Sequence, residues 1–496
     1  MKLWNLLHGV PLMGEHFTED MEISSLSYDT RTLEPGALFV ALPGAKTDGA
    51  RFIREALEKG AAAVLCEAPP EGEGPWLVTP DARRALALAS ANWFGHPAEQ
   101  LTLVGVTGTN GKTTTTCLIK EMLERALGTR VGLIGTIENQ IGGMSLLAHR
   151  TTPESYELQQ LLRQMADAGC THVVMEVSSH ALVQHRVEGL TFAAGVFTNL
   201  TQDHLDYHRT MEAYRDAKGL LFRQCERAVL NLDDETGRWY QERIDCPAFT
   251  YSENKDWADL TAKNIRLFPG HVEFEAVTKG DIQRIHLPIP GGFTIYNALA
   301  AAACGLCLGL TLEDIACALR CAHGVKGRVE VVPTPTAYTV LIDYAHTPNA
   351  LENVLLTARD FTAGRLICLF GCGGDRDRSK RPLMGAVVRE LADAAVVTSD
   401  NPRTEDPWTI IQDILPGMSG YGGEIHIEPD RRLAIRWALA QGRPGDVIVL
   451  AGNGHETYQE VGGAQFPFDE RKVVAEYFEK RAQRRERTGN LPAGVV

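Results

Sequence analysis

Short apolar runs recur along the chain and alternate with stretches of helical spacing. A strand buried on both faces reads as a continuous apolar run, whereas a strand with one wet face alternates. The runs at 101–106, 131–134, 173–177 and 194–197 are of the first kind. Helical patterns separate them, at 112–127 and 211–222 among others, so they predict a parallel sheet covered on both faces. The runs at 339–342, 366–370, 394–398 and 447–451 predict a second doubly wound sheet. Ahead of both, 37–42 and 62–65 read as strands, 69–75 as a surface loop, and 82–94 as a helix closed by Gly95-His96-Pro97. No repeat of fixed period is visible, and 480–496 reads as a polar tail that frays.

Length supports this division. At roughly 100–200 residues per domain, 496 residues make about three. The expected fold is α/β in three domains: an N-terminal α/β domain over 1–100, a central parallel-sheet domain over 101–327, and a C-terminal Rossmann-like domain over 328–496. A net charge of −14 argues against nucleic acid as partner, which needs a basic footprint. No signal peptide and no apolar run long enough to span a membrane are visible. The eleven cysteines read as reduced, mostly buried thiols, and the chain is expected to be cytoplasmic.

The chemistry starts where the first central strand ends. Thr107-Gly108-Thr109-Asn110-Gly111-Lys112-Thr113-Thr114 joins a strand to a helix. Glycines let backbone N–H groups approach phosphate oxygens, and a helix N-terminus favours negative charge. Lys112 is placed to meet the β- and γ-phosphates of ATP and the Thr113 hydroxyl to ligate Mg²⁺. Val106 stands where a standard loop has its first Gly, and Gly108 lies inside the loop instead. Glu176 closes its strand at the carboxyl end, where ligand crevices form, and suits a metal contact. His204, in the polar segment that follows 194–197, is a candidate metal ligand as neutral imidazole. Lys218 alone reads as an ordinary helix lysine. So far the residues specify a nucleotide, not a reaction.

Several further motifs occur in order: Met175-Glu176-Val177-Ser178-Ser179-His180, Thr198-Asn199-Leu200, Asp203-His204-Leu205-Asp206, Tyr296-Asn297-Ala298, Gly327-Arg328, Asp343-Tyr344-Ala345-His346, Gly371-Cys372-Gly373-Gly374-Asp375-Arg376 and Gly452-Asn453-Gly454-His455-Glu456. With the loop, they make nearly the whole chain resemble the Mur ligase family, and within it the branch that adds the third residue of the peptidoglycan stem peptide. The resemblance implies one domain for the UDP end of the substrate, one for ATP and a mobile one for the incoming amino acid. It implies that Lys218 is carbamylated by CO₂, so that a lysine becomes an anionic Mg²⁺ ligand. It implies nucleotide contacts from Asn297, Arg328, Asp343 and His346. UDP-MurNAc-L-Ala-D-Glu is then held by Tyr28, Thr30, Thr151, Thr152, Ser178, Gln184 and Arg186, and by 45–47, where the match is poor, as it is at Arg150.

Asp400-Asn401-Pro402-Arg403 resembles the signature of the branch that adds meso-diaminopimelate rather than lysine. The chemistry agrees, because meso-diaminopimelate has a distal carboxylate that a guanidinium can hold with two hydrogen bonds. Arg376, Gly452 and Glu456 match the other amino-acid contacts, with Glu456 on the distal ammonium. The implied reaction passes the γ-phosphate of ATP to the D-glutamate carboxylate, and the amine then displaces phosphate from the acyl phosphate. Closure about Gly327-Arg328 is expected to exclude water. The chain is expected to act as a monomer. The alternatives are a lysine-adding relative, folylpolyglutamate synthetase, a P-loop kinase or GTPase, and an inactive binding scaffold.

Overall fold

The computed structural model describes residues 1–16, 20–44, 48–70 and 74–487. The chain forms two compact units. The first comprises Met1–Thr261, Thr278–Asp281 and Leu299–Ala318; the second comprises Ala262–Val277, Ile282–Ala298 and the chain from Leu319 onward.

The first unit contains two sheets. The N-terminal one has five strands in the order Gly14–His16, Trp76–Val78, Ala63–Cys66, Ala37–Val40, Ser25–Ser27, all parallel except the first pair. Its helix Ala82–Trp93 starts at Asp81, whose carboxylate caps the backbone N–H of Arg84. That helix side of the sheet meets the second sheet's elements through the Phe94–Tyr156 rings, 5.3 Å apart, and through Arg83 Nη1, 3.3 Å from Glu154 Oε2.

At the centre of the second sheet lies Thr102–Thr107, paired in parallel with Ala194–Phe197 on one side and Cys170–Glu176 on the other. Arg130–Ile134 follows beyond Cys170–Glu176, and Ala228–Asn231 and Ala248–Ser252 follow beyond Ala194–Phe197. Ala194–Phe197 is buried at every residue and Thr102–Thr107 at all but Thr102, as the continuous apolar runs predict. The antiparallel hairpin Glu138–Ile141 and Met144–Leu147 extends one edge. Its short strands, Glu138-Asn139-Gln140-Ile141 and Met144-Ser145-Leu146-Leu147, carry no continuous apolar run of the length that predicts the central strands.

The second unit is built on a six-stranded sheet in the order Glu330–Val332, Thr339–Asp343, Val447–Ala451, Leu366–Phe370, Ala394–Val397, Glu424–Ile427, parallel except for the first strand. Alternate residues feed opposite cores. Leu366, Cys368 and Phe370 pack with Leu355, Met384 and Ile410, while Ile367 and Leu369 pack with Ile435, Leu439 and Val473. The expected fraying from residue 480 is corrected: one helix runs Glu470–Arg487, because Val473 and Val474 bury against the sheet and anchor its start. Residues 488–496 lie outside the described residues. Among the described residues no helix is long and apolar enough to cross a membrane. All eleven cysteines are free. Cys304 and Cys307 have CxxC spacing within the helix Gly292–Cys307, but burial raises both thiols and removes thiolate character.

One buried ion pair sets the ends of two strands. Arg431 is 1% exposed and Glu470 0%. Arg431 Nε donates to Glu470 Oε1 at 2.9 Å, and its terminal nitrogens donate to the carbonyls of Ser399 at 3.2 Å and Ala451 at 2.8 Å. Those carbonyls directly precede Asp400 and Gly452. Removing one partner of a buried pair leaves an uncompensated charge. Glu470→Ala is therefore expected to cost about 3–5 kcal/mol in urea unfolding of the full chain. The double replacement by Met at 431 and 470 should cost clearly less; equal losses would show that the charge is not what matters.

Candidate active site

The phosphate loop is shaped by two glycines with positive φ, Gly108 at 149° and Gly111 at 82°. A Cβ at Gly108 would lie 1.9 Å from Thr198 Oγ1, so no larger residue fits there. This close approach explains why the loop has its glycine at 108 and an ordinary buried Val106 in the strand before it. Helix Lys112–Leu127 leaves from Gly111, which points its first N–H groups back at the loop. Thr114 sits buried in its first turn.

The segment after Ala194–Phe197 clamps the loop. Thr198 Oγ1 donates to Asn110 O at 2.6 Å, Asn110 N donates to Asn199 Oδ1 at 2.9 Å, and Thr109 N donates to Asn199 O at 2.8 Å. Lys112 Nζ donates to the carbonyls of Gly108 and Thr109, both at 2.9 Å.

Glu176 is 1% exposed. Its Oε1 accepts from Thr113 Oγ1 at 3.0 Å and from Thr136 N at 2.8 Å, and its Oε2 accepts from Thr136 Oγ1 at 3.1 Å. A buried carboxylate is tolerable only when hydrogen-bonded this way. Its backbone oxygen accepts from Thr152 Oγ1 at 2.8 Å. Thr136 Oγ1 also lies 3.1 Å from Thr151 Oγ1, within hydrogen-bond reach, and Ser178 N donates to Thr152 Oγ1 at 3.1 Å. Arg186 donates to Thr152 O at 2.8 Å and to Gln184 Oε1 at 2.7 Å. The structure thus joins Thr113 and Glu176 to Thr151, Thr152, Ser178, Gln184 and Arg186. Thr136 is the link that sequence reasoning missed, since a single Thr after Gly135 carries no signal.

Glu154, 7% exposed, is met by Arg83, Arg150 and Arg186. Three guanidinium groups thus converge on one buried carboxylate beside these residues. Arg150 is thereby engaged with Glu154. Tyr28 Oη donates to Glu157 Oε1 at 2.7 Å, and burial together with that carboxylate raises its pKa. Thr30 is buried and its carbonyl accepts from Lys59. Residues 45–47 lie outside the described residues.

Lys218 is 1% exposed in the last turn of helix Met211–Gly219. Its amine donates to Gly108 O at 2.8 Å and lies 4.4 Å from the Tyr214 ring centre. Burial, with the charge of Lys112 adding to it and Asp203 opposing, pushes its pKa well below the usual lysine value. The amine is therefore held against the loop where burial disfavours its protonated form. His204 is half exposed, with its imidazole 3.5 Å from Asp203 Oδ2 and 6.0 Å from the Tyr214 ring. Tyr214, unremarked in the sequence, stands between His204 and Lys218.

The second unit gathers the other predicted residues. Asp343 is buried, and its Oδ2 accepts from Val329 N at 2.8 Å. Burial raises its pKa while Arg328 pulls it back. That hydrogen bond holds Val329 at φ 44°, a conformation costing a β-branched residue about 1–3 kcal/mol. Arg328 lies 5.5 Å from the Tyr344 ring centre. His346 Nδ1 is 2.8 Å from Tyr344 O, and burial lowers its pKa. Asn297 is buried in the helix Gly292–Cys307.

Asp400-Asn401-Pro402-Arg403 lies against the glycines of 371–374. Gly374 N donates to Asn401 O at 2.9 Å, and a Cβ at Gly374 would lie 1.9 Å from Pro402 O. Asn401 Nδ2 donates to Glu456 Oε2 at 2.8 Å and Tyr344 Oη to Glu456 Oε1 at 3.2 Å; burial raises the Glu456 pKa. Asp400 Oδ1 is buried without a hydrogen-bond donor among the described residues, and Gly452 packs on that carboxylate. Arg403 has φ 52°, donates to Gly374 O at 2.7 Å and meets Glu460 Oε2 at 3.2 Å. Glu460 comes from the hairpin Tyr458–Val461/Ala464–Pro467, which the sequence did not announce. Arg376 is exposed beside Gly373. Cys372 is buried against Met384 Sδ at 3.4 Å, with its thiol pushed up to about 12, so it is a packing residue.

Comparison with known proteins matches these features. The Mur ligase family catalytic-domain model matches residues 22–100, the Mur ligase middle-domain model 106–305, and the Mur ligase glutamate-ligase-domain model 327–454. The UDP-N-acetylmuramoyl-L-alanyl-D-glutamate–2,6-diaminopimelate ligase of Geobacillus thermodenitrificans is 46% identical, covering 96% of this chain and 98% of that protein. The ligase of the same name from Clostridium tetani is 45% identical over 93% and 96%. A solved structure of a ligase with this name, 33% identical, superposes with a TM-score of 0.74 over 97% of this chain and 99% of its own. The Thermotoga maritima MurF ligase shares the fold at 20% identity, with a TM-score of 0.61 over 94% of this chain and 100% of its own. With near-complete coverage at such identity and the three family segments in order, the chain belongs to the Mur ligase family.

Proposed function

We propose that the chain is an ATP-dependent amide-forming ligase that joins meso-diaminopimelate to the D-glutamate carboxylate of UDP-MurNAc-L-Ala-D-Glu, in peptidoglycan precursor synthesis. The observation that carries this reading is the Glu176 junction: one buried carboxylate is bonded by Thr113 of the phosphate loop, and its own carbonyl holds Thr152 of the acceptor set. Relatives named for this reaction match over nearly the whole chain. We keep the domain limits 1–100, 101–327 and 328–496, a division supported by family segments at 22–100, 106–305 and 327–454. Because ATP and UDP-linked precursors are cytoplasmic, the free thiols fit a cytoplasmic enzyme.

Mg²⁺ fits the donors present. The Thr113 hydroxyl and Glu176 carboxylate are adjacent hard oxygen ligands, and His204 is assigned as an additional contact through an imidazole nitrogen. A bound Mg²⁺ would neutralise charge on the β- and γ-phosphate oxygens. Lys218 adds a second anion. Its neutral amine attacks CO₂, a C–N bond forms, one C=O π pair becomes the carbamate oxygen's charge, and one proton is released. Burial lowers the pKa of the amine and so favours this step.

The residues then work by position. The loop N–H groups and Lys112 hold the γ-phosphate, and Asn297, Arg328, Asp343 and His346 hold the rest of ATP. The Thr151–Arg186 set and Tyr28 and Thr30 hold the acceptor, whose carboxylate oxygen takes the phosphoryl group as ADP leaves. The amine nitrogen attacks the acyl carbon, and phosphate departs with the former carboxylate oxygen. Asp400 and Glu456 offer carboxylates to the two ammonium groups of diaminopimelate, with Asn401, Pro402, Gly452 and Arg376 lining them. Arg403 offers its fork to the distal carboxylate. Glu460 and Gly374 O already occupy part of that fork, so lysine leaves it less exposed than a bare arginine would be.

Two experiments test this reading. Phosphate release with acceptor, ATP and Mg²⁺ should favour diaminopimelate over lysine by about 10²–10⁴-fold, the worth of two charge-assisted hydrogen bonds; equal turnover would refute the specificity. Lys218→Ala should lose nearly all turnover and regain part of it with short-chain carboxylates. Full turnover in that variant would remove the carbamate.

A further inference from the structure

The second unit carries a group of metal-ligating side chains that the ligase reaction does not use. The hairpin Val272–Val277/Ile282–Leu287 buries Val272, Phe274, Ala276, Ile285 and Leu287 on one face. Its register sets Glu273 opposite His286 on the other face, and His271, two residues before Glu273, shares that face. Glu273 Oε1 lies 3.7 Å from His271 Nε2 and 3.4 Å from His286 Nδ1. All three ligand atoms lie within 4.8 Å of one another. With metal–ligand bonds of about 2.0–2.2 Å, two donors on a tetrahedral ion stand roughly 3.4 Å apart. The carboxylate-to-imidazole spacings are already at that value or slightly above it.

The group is also held in place. The Phe268 ring stacks on His271 at 4.3 Å and 13°, and Phe268 N donates to His271 O at 3.0 Å across the turn. On the same face Arg284 is 3.8 Å from Glu275, which offsets its charge beside His286. Side-chain exposures of 29%, 27% and 37% leave the ion and a water ligand a way in. A pair of His–Glu contacts at a surface contributes about 0–1 kcal/mol and does not require a third converging ligand.

We propose that His271, Glu273 and His286 form a site for a divalent transition metal of the zinc class, with water as fourth ligand, which staples the turn at 268–271 to the strand Ile282–Leu287. Two imidazoles and one carboxylate suit Zn²⁺ and disfavour Mg²⁺, which takes oxygen ligands in octahedral geometry.

The test is Zn²⁺ titration of the full chain against a chromogenic chelator, in excess Mg²⁺ and under reducing conditions. The unaltered chain should bind one equivalent more than His271→Ala or His286→Ala, with micromolar or tighter affinity. Glu273→Gln should weaken that equivalent by at least about 10–100-fold, the loss that even an outer-shell partner brings. Co²⁺ in its place should show no thiolate charge-transfer band, and Zn²⁺ should raise the melting temperature of the unaltered chain more than that of the folded His286→Ala variant. Equal stoichiometry and affinity in the histidine variants, a sulfur band for that equivalent, or millimolar affinity would overturn the site.

Discussion

A carboxylate almost out of reach of water organises the first unit. Glu176 must have its lone pairs filled, because an ionised group in a protein interior is costly unless hydrogen-bonded. Thr113 and Thr136 fill them, one from the loop helix and one from the end of the neighbouring strand Arg130–Ile134. The same bonds fix where a phosphate-bound cation would find oxygen ligands. Through its own carbonyl and Thr152, Glu176 also fixes the set that ends in Arg186. The phosphate loop and that set are therefore positioned from one residue.

The second unit solves a related problem with an arginine. Arg431 is buried, satisfied by Glu470, and spends its remaining donors on the carbonyls of Ser399 and Ala451. Two strand ends are thereby held where Asp400 and Gly452 must meet. Around them Glu456 and Asp400 are acidic groups short of cations, while Arg403 is already steered by Glu460 and Gly374. A zwitterion with two ammonium groups and a distal carboxylate complements that arrangement.

The parts legible in the sequence were those whose physics is local. Parallel strands buried on both faces leave continuous apolar runs, so both large sheets could be read. The phosphate loop leaves Gly, Lys and Thr at fixed spacing. The parts that were not legible depend on distant partners. Thr136 matters because it meets Glu176, forty residues on. Arg431 and Glu470 are charged residues that composition would place at the surface, and only their mutual contact buries them. The hairpins at Glu138–Leu147, Val272–Leu287 and Tyr458–Pro467 are short and mix apolar with polar residues, so no continuous apolar run marks them. Lys218 was ordinary by pattern; only the fold shows it buried and bonded to the loop.

In the proposed reaction the loop and the Glu176 junction deliver a phosphoryl group to a carboxylate that an amine then attacks. The most direct measurement labels the D-glutamate side-chain carboxylate of UDP-MurNAc-L-Ala-D-Glu with oxygen-18 and follows the inorganic phosphate by mass spectrometry during turnover with diaminopimelate. Transfer through an acyl phosphate leaves one labelled oxygen in each phosphate released, together with the amide product. Unlabelled phosphate, or phosphate release without amide, would contradict it.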